Sequence, residues 1–475
     1  MRNSRSVVLI GYTKKEEHAM NIEVIIKEQR KFYKTNKTKA LPFRLQALER
    51  LEKAVRTYEG ELENALYEDL KKSKTESFMT EISLVLSEIR YVKKHLEKWD
   101  KDVRVRPSLM QFPSKGRVVR EPYGCVLIIA PWNYPVLLTL QPLIGAIAGG
   151  NCAILKPSEY APHTSKVLKK LIKSIFSEHY ICVIEGDVAV SQQLLKQRFD
   201  FIFYTGGERV GKIVLKESAE YLTPTILELG GKSPCIVTKT ANISLTAKRI
   251  VFGKFLNSGQ TCVAPDYVLV EEEVKEELVR KIKQYIKKFY GNDPLQSKTY
   301  SAIINVGHYH RLLAILKDAN KNPVCKEETL QIAPTIIEEA TEEMAVMKEE
   351  IFGPILPILS VKSLEEAKEF VEKREKPLAL YLFTGDQKEG RKQMKQLSYG
   401  GGCINDTILH LAGERLPFGG VGNSGMGSYH GKYSYEAFTR EKGILESSSW
   451  FDVPLRYPPY TTRKGKIIKK FLDKI

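Results

Sequence analysis

Apolar positions along the chain change their period near residue 120. Between residues 43 and 99 they recur at three- and four-residue steps among many charges, as at Leu45, Leu48, Leu51 and Val55, which is the stripe of amphipathic helices. Pro107 and Pro113 break this region. Beyond it, short apolar runs alternate with helical spacing. GCVLIIAP (124–131), NCAILK (151–156), ICVIE (181–185), DFIFY (200–204) and TILELG (225–230) predict strands, with helices over 136–148 and 164–176. A second alternating region predicts a helix over 244–255, the strand YVLVE (267–271) and a helix over 272–289. Strands alternating with helices require parallel sheets covered on both faces, an α/β architecture. LPFGGVGNSGMG (416–427) is a glycine-rich loop near the end, and no repeat or low-complexity linker divides the chain.

The 475 residues suffice for two or three lobes, and 43% hydrophobic with 28% charged residues is ordinary for a folded, soluble protein. Seven cysteines form no CxxC pair, so neither a zinc knuckle nor a redox pair is suggested, and their odd count without regular spacing fits a reducing compartment. The net charge of +17 is spread over the chain, which describes a lysine-rich surface and not a nucleic-acid groove. Residues 456–475 are the exception. Arg456, Arg463, Lys464, Lys466, Lys469, Lys470 and Lys474 oppose a single acid, Asp473, while Ile467, Ile468, Phe471, Leu472 and Ile475 recur at helical spacing. Such a tail either packs on the body or a partner subunit, or lies on an anionic membrane surface. No run of 18 apolar residues is present, so no spanning helix is expected. The run Val7–Ile10 is too short for a secretory core. Residues 1–19 therefore read as an appended extension, with translation starting at Met1 or Met20. The expected location is cytoplasmic, with peripheral membrane contact at most.

Several short segments carry chemistry. NSGQTC ends on Cys262, and a thiolate is a strong nucleophile; a lone cysteine, however, is more often an inert core residue. LELGGKSP places Glu228 at an apolar strand end, where a carboxylate is costly unless paired or functional. APWNYP holds Asn133, by itself an ordinary turn residue. KPSE puts Lys156 and Glu159 at the carboxyl end of a strand, where open α/β sheets bind ligands, although a solvated ion pair would look the same. EEIFGP supplies Glu350 and Phe352.

Taken in order, APWNYP, KPSE, LELGGKSP, NSGQTC, EEIFGP and PFGG resemble the aldehyde dehydrogenase superfamily from about residue 21 to about 460. IAPWNYP, GKSPC, NSGQTCVAPDY and PFGGVGNSGMGSYHGK are similar to its class 3 and fatty aldehyde branch, as are the separations of 34 residues from Glu228 to Cys262 and 129 from Asn133 to Cys262. The resemblance implies a Rossmann-type NAD-binding domain mainly over 20–228 and an α/β catalytic domain mainly over 229–430. Residues 431–455 would complete the fold, a small oligomerisation element would be present, and the chain would form a homodimer. It implies oxidation of an aldehyde, medium- or long-chain aliphatic or aromatic, through a thioester on Cys262. Asn133 and the Cys262 backbone N–H would hold the oxyanion, and Glu228 would activate water. Lys156 and Glu159 would bind the adenosine ribose, favouring NAD while admitting NADP. Glu350 would hold the nicotinamide ribose and Phe352 would flank the ring. No metal is implied.

One segment departs from the family. In YTGGERVGK (204–212), Gly206 and Gly211 match the pyrophosphate loop, but Gly207 and Glu208 stand where serine and threonine are usual, with Arg209 as a compensating cation. His308 and His310 read as surface or helix-start residues, and nothing in their spacing assigns His410 or His430 a part in a substrate funnel. Two rivals remain at this level. A coenzyme A-acylating dehydrogenase would not need Glu228. A non-catalytic protein of the same fold, or an RNA binder, would have lost one of Cys262, Glu228 and Asn133.

Overall fold

In the computed structural model, which describes residues 14–473, two six-stranded sheets share one apolar core. The first runs, edge to edge, through Gly425–Met426, Thr225–Glu228, Phe201–Thr205, Cys125–Ile129, Cys152–Lys156 and Ile181–Val183. All neighbours are parallel except the first pair. Leu127 pairs with Ile154 on one side and Ile202 on the other, and all three are buried. That double burial is why these strands read as continuous apolar runs. From Cys125–Ile129 the chain builds outward in one direction, then returns to build in the other. The reversal opens a crevice at the carboxyl ends of Cys125–Ile129 and Phe201–Thr205.

The second sheet is parallel throughout, in the order Thr335–Ile337, Ile355–Val361, Tyr267–Glu271, Pro234–Val237, Ala379–Phe383, Gly401–Ile404. Most boundaries expected from the sequence lie within two residues of those observed: helices Pro135–Gly149, Pro162–Ile175, Ile243–Phe255 and Glu272–Tyr290 occupy the predicted spans. The amphipathic region resolves into helices Leu41–Thr57, Glu59–Leu70 and Ser83–Trp99, with Leu48, Leu51, Val55, Leu62, Ile89 and Leu96 fully buried.

A third, antiparallel sheet of Val103–Val105, Lys115–Pro122 and Thr439–Glu446 forms the small additional element. Its outer strand TREKGILE is largely exposed and carries no apolar alternation strong enough to predict it. The extension expected over 1–19 lies mostly outside the described residues; helix Lys14–Lys34 runs unbroken through position 20. The tail forms helix Thr462–Leu472, with Arg463, Lys466, Lys469 and Lys470 exposed. No helix among the described residues is long and apolar enough to cross a membrane.

Candidate active site

The crevice deepens into a cavity of about 570 Å³ lined by Cys262, Glu228, Asn133, Gly206, Glu350 and Phe352, six residues drawn from both sheets. The other three sequence candidates lie outside its wall. Lys156 ends its strand, buried, and donates from Nζ to the Pro157 carbonyl at 2.8 Å and to Glu159 at 3.3 Å. Burial pulls its amine below the usual lysine range and the Glu159 carboxylate pulls the other way. Gly211 sits one turn into helix Glu208–Ala219, against Leu229.

The loop before Cys262 is held in an uncommon backbone shape. Helix Ile243–Phe255 ends, and Asn257, Ser258 and Gly259 follow with φ of 50°, 51° and 75°. A Cβ on Gly259 would stand 2.3 Å from the Gly353 carbonyl oxygen, so only glycine lets the NSGQTC and EEIFGP segments meet. Two consecutive non-glycine residues in the left-handed region persist only where the surroundings over-determine them. Here they do. The Asn257 amide donates to the Asn133 carbonyl at 2.9 Å, the Gln260 amide to the Ala302 carbonyl at 2.9 Å, and Ser258 Oγ to the Ser301 carbonyl at 2.5 Å. Asn133 Nδ2 donates to the Gln260 carbonyl at 3.0 Å, which engages one of its two N–H bonds. Tyr381 donates to the Val263 carbonyl at 2.5 Å.

Burial pushes the Cys262 thiol up to about 12, with the Glu350 and Glu228 carboxylates adding to the rise and the backbone N–H groups of Cys262 and Val263 opposing it. Glu228 closes its strand with the side chain 2% exposed and neither carboxylate oxygen hydrogen-bonded. Burial alone lifts it well above the usual carboxylate range. A buried, unpartnered carboxylate destabilises the fold, so its presence points to chemistry. Glu350 is pushed up to about 8 by burial and then by Asp266; the Gly231 N–H, Lys232 and Lys254 work against the rise. Phe352, at φ 48°, meets Trp132 edge-on at 5.4 Å.

Gly206 N–H donates to the Glu228 carbonyl at 3.0 Å, and Gly207 caps helix Glu208–Ala219. Glu208 is paired with Lys212 at 2.6 Å, so the cation that answers it is one turn on, not Arg209 as expected. His308 and His310 do start a helix, Val306–Asp318, but His308 turns inward onto Trp132 at 5.3 Å and lines the cavity; only His310 is a surface residue. His430 and Tyr429 also line the wall, while His410 lies behind it against Phe418. Much of the rest of the wall is apolar, with Met79, Leu84, Leu137, Leu138, Phe252 and Ile408. Among the described residues no three acids, cysteines or histidines group as metal ligands.

A doubly wound parallel sheet that carries a buried carboxylate at a strand end, and whose switch-point crevice is closed by a thiol from a second α/β lobe, defines a two-lobed, dinucleotide-dependent oxidoreductase. The chain belongs to the aldehyde dehydrogenase family, whose model matches residues 9–444. It is 48% identical over 454 residues to the 4,4'-diaponeurosporen-aldehyde dehydrogenase of Staphylococcus aureus (strain NCTC 8325 / PS 47), covering 95% of this chain and 99% of that one. It is 42% identical over 457 residues to aldehyde dehydrogenase family 3 member A2 of Pongo abelii, covering 95% and 94%. The substrate-bound Staphylococcus aureus AldH structure superposes with a TM-score of 0.92 at 48% identity, covering 95% and 99%. The chain is thus an aldehyde dehydrogenase of the class 3 branch that uses NAD(P).

Proposed function

We propose that this enzyme oxidises long, apolar aldehydes to carboxylic acids through a thioester on Cys262. The observation that carries the reading is Glu228, buried and unpartnered in the same cavity as the thiol. Cys262, which is partly exposed, loses its thiol proton to solvent, and the thiolate Sγ adds to the aldehyde carbon. The resulting alkoxide takes hydrogen bonds from Asn133 Nδ2 and the Cys262 N–H, donors already oriented by the loop network. Bound NAD supplies the acceptor for the hydride lost from the aldehyde carbon. Glu228 then removes a proton from water as that water adds to the thioester carbonyl, and the thiolate leaves with the acid released.

The residues present fit a dinucleotide. Gly206 and Gly207 open a helix N-terminus, a backbone suited to phosphate. Lys156 has N–H capacity beyond its two acceptors and Glu159 faces it, a pair suited to ribose hydroxyls. Glu350 and Phe352 lie together on the cavity wall, where a nicotinamide ribose and ring would be held. The Glu159 carboxylate repels a 2′-phosphate, which supports preference for NAD over NADP. The apolar lining supports the substrate class, and one relative is named as a 4,4'-diaponeurosporen-aldehyde dehydrogenase. The open strands Gly401–Ile404 and Thr439–Glu446, each at a sheet edge, support a homodimer in which edges pair. The basic face of helix Thr462–Leu472 supports a reversible contact with anionic membrane. The test is reduced-nicotinamide absorbance across short to long alkanals with NAD and NADP in parallel. Efficiency rising with chain length and higher with NAD is expected; preference for short polar aldehydes overturns the substrate assignment.

A further inference from the structure

Behind Asn133 and the nucleophile loop lies a buried ionic cluster. Helix Lys74–Ser77 passes into a π turn, Phe78–Ile82, before helix Ser83–Trp99 begins. The Ser83 N–H bonds back to the Phe78 carbonyl, five residues earlier. A wider turn brings residues five apart onto one side, and π turns concentrate at functional sites. Here the residues are Glu76 and Glu81, and both face the single cation Lys72. Lys72 and Glu81 are wholly buried and Glu76 is 8% exposed.

Each group ends on a part of the site. Lys72 Nζ donates to Glu81 at 2.6 Å and to the Asn133 carbonyl at 3.1 Å, and lies over the Tyr134 ring at 4.3 Å. The Tyr134 hydroxyl bonds Thr261 Oγ1 at 2.7 Å, next to Cys262. The second Glu81 oxygen accepts the N–H groups of Val136 at 2.8 Å and Leu137 at 3.2 Å, the first free donors of the helix that follows Asn133. Glu76 accepts the Asn257 N–H at 2.8 Å, within the left-handed run before Cys262. The Asn133 carbonyl thereby receives Lys72 from one side and the Asn257 amide from the other.

Two carboxylates drawn out of water around one cation are costly, and an apolar filling of the same space is often no less stable. Their hydrogen bonds reach the Asn133 carbonyl, the first free N–H groups of the helix after it and the Asn257 N–H, which orient Asn133 and the loop before Cys262. The structure assigns Lys72, Glu76 and Glu81 as positioning residues that hold the oxyanion donor and the nucleophile loop in register. Met79 and Thr80, on the same π turn, line the cavity, so the clamp and the substrate wall are one element. This assignment rests on the thioester mechanism above.

The test compares Glu76→Ala, Glu76→Asp and Glu76→Gln, with Cys262→Ala as the control. A loop displaced by a fraction of an ångström loses rate and not binding. Glu76→Ala is expected to lower kcat by about tenfold or more, while the aldehyde KM and the NAD dissociation constant stay within about twofold. Glu76→Gln retains an oxygen that can accept the Asn257 N–H and restores most of kcat. Glu76→Asp keeps the charge, withdraws the oxygen by one methylene, and remains impaired. If Glu76→Ala does not fold, the order Gln above Asp decides, and the reverse order overturns the assignment. Unchanged kcat in Glu76→Ala, beside an inactive Cys262→Ala, overturns the positioning role alone. An active Cys262→Ala overturns the mechanism beneath it.

Discussion

The Glu350 carboxylate lies against the α-carbon of Gly230 so closely that a Cβ there would stand 2.0 Å from Oε2. The glycine pair after Glu228 therefore sets the position of a residue 120 places later. Gly230→Ala should displace Glu350 and weaken NAD binding roughly tenfold by calorimetry, about 1.4 kcal/mol. Unchanged affinity would show that Glu350 does not hold the cofactor.

Glu228→Gln should cut turnover by about two to three orders of magnitude while acyl-enzyme builds up, detected as a mass increment on the Cys262 peptide. Near-full turnover would remove the base assignment.

The same substitution should stabilise the fold. Because burial holds the Glu228 carboxyl above its unfolded value, the folded state binds its proton more tightly, and stability falls as pH rises from the unfolded value toward the folded one. Glutamine does not titrate, so the variant's melting temperature should exceed the parent's at about pH 8, with the difference closing near pH 4. A gap independent of pH would mean that the carboxylate is partnered after all.

The position of Cys262 is checked by alkylation without cofactor, in a Cys325→Ser background because Cys325 is exposed. With the thiol near 12, iodoacetamide labelling should climb about tenfold per pH unit from about pH 7 to 10. A plateau below about pH 8 would show a thiolate stabilised by the resting enzyme.

Removing residues 461–475 should abolish co-sedimentation with anionic vesicles at low salt and lower activity on long aldehydes more than on short ones. If the full chain ignores such vesicles, and truncation lowers every chain length equally, the helix is structural.

Much of the site was legible because its parts are contiguous. NSGQTC, LELGGKSP, APWNYP and EEIFGP each carry a wall residue on a strand end or loop, where apolar runs mark the preceding strand. Lys72, Glu76 and Glu81 were not, since within the charged helical region they look like a solvated face; Lys72 sits in a loop, and the π turn that brings Glu81 to the same side as Glu76 is invisible to three- and four-residue spacing. His308 was not recognised as a wall residue for a related reason: two positions, about half a helical turn, separate its inward ring from the outward ring of His310. The strand Thr439–Glu446 was missed because neither face is buried enough to impose alternation.

The short strand Gly425–Met426 pairs antiparallel with Thr225–Glu228, so Gly425 sits beside Glu228, the proposed base. Three hundred residues separate this edge from the sheet's first strand at Cys125. During synthesis the Glu228 edge stays open, an exposed template for wrong pairing, until nearly the whole chain has left the ribosome. A partly made chain thus carries the thiol of Cys262 without the finished wall around it. The edge is covered only when Gly425–Met426 has been made, so the long interval between the two strands is the stretch of synthesis over which wrong pairing is open to it.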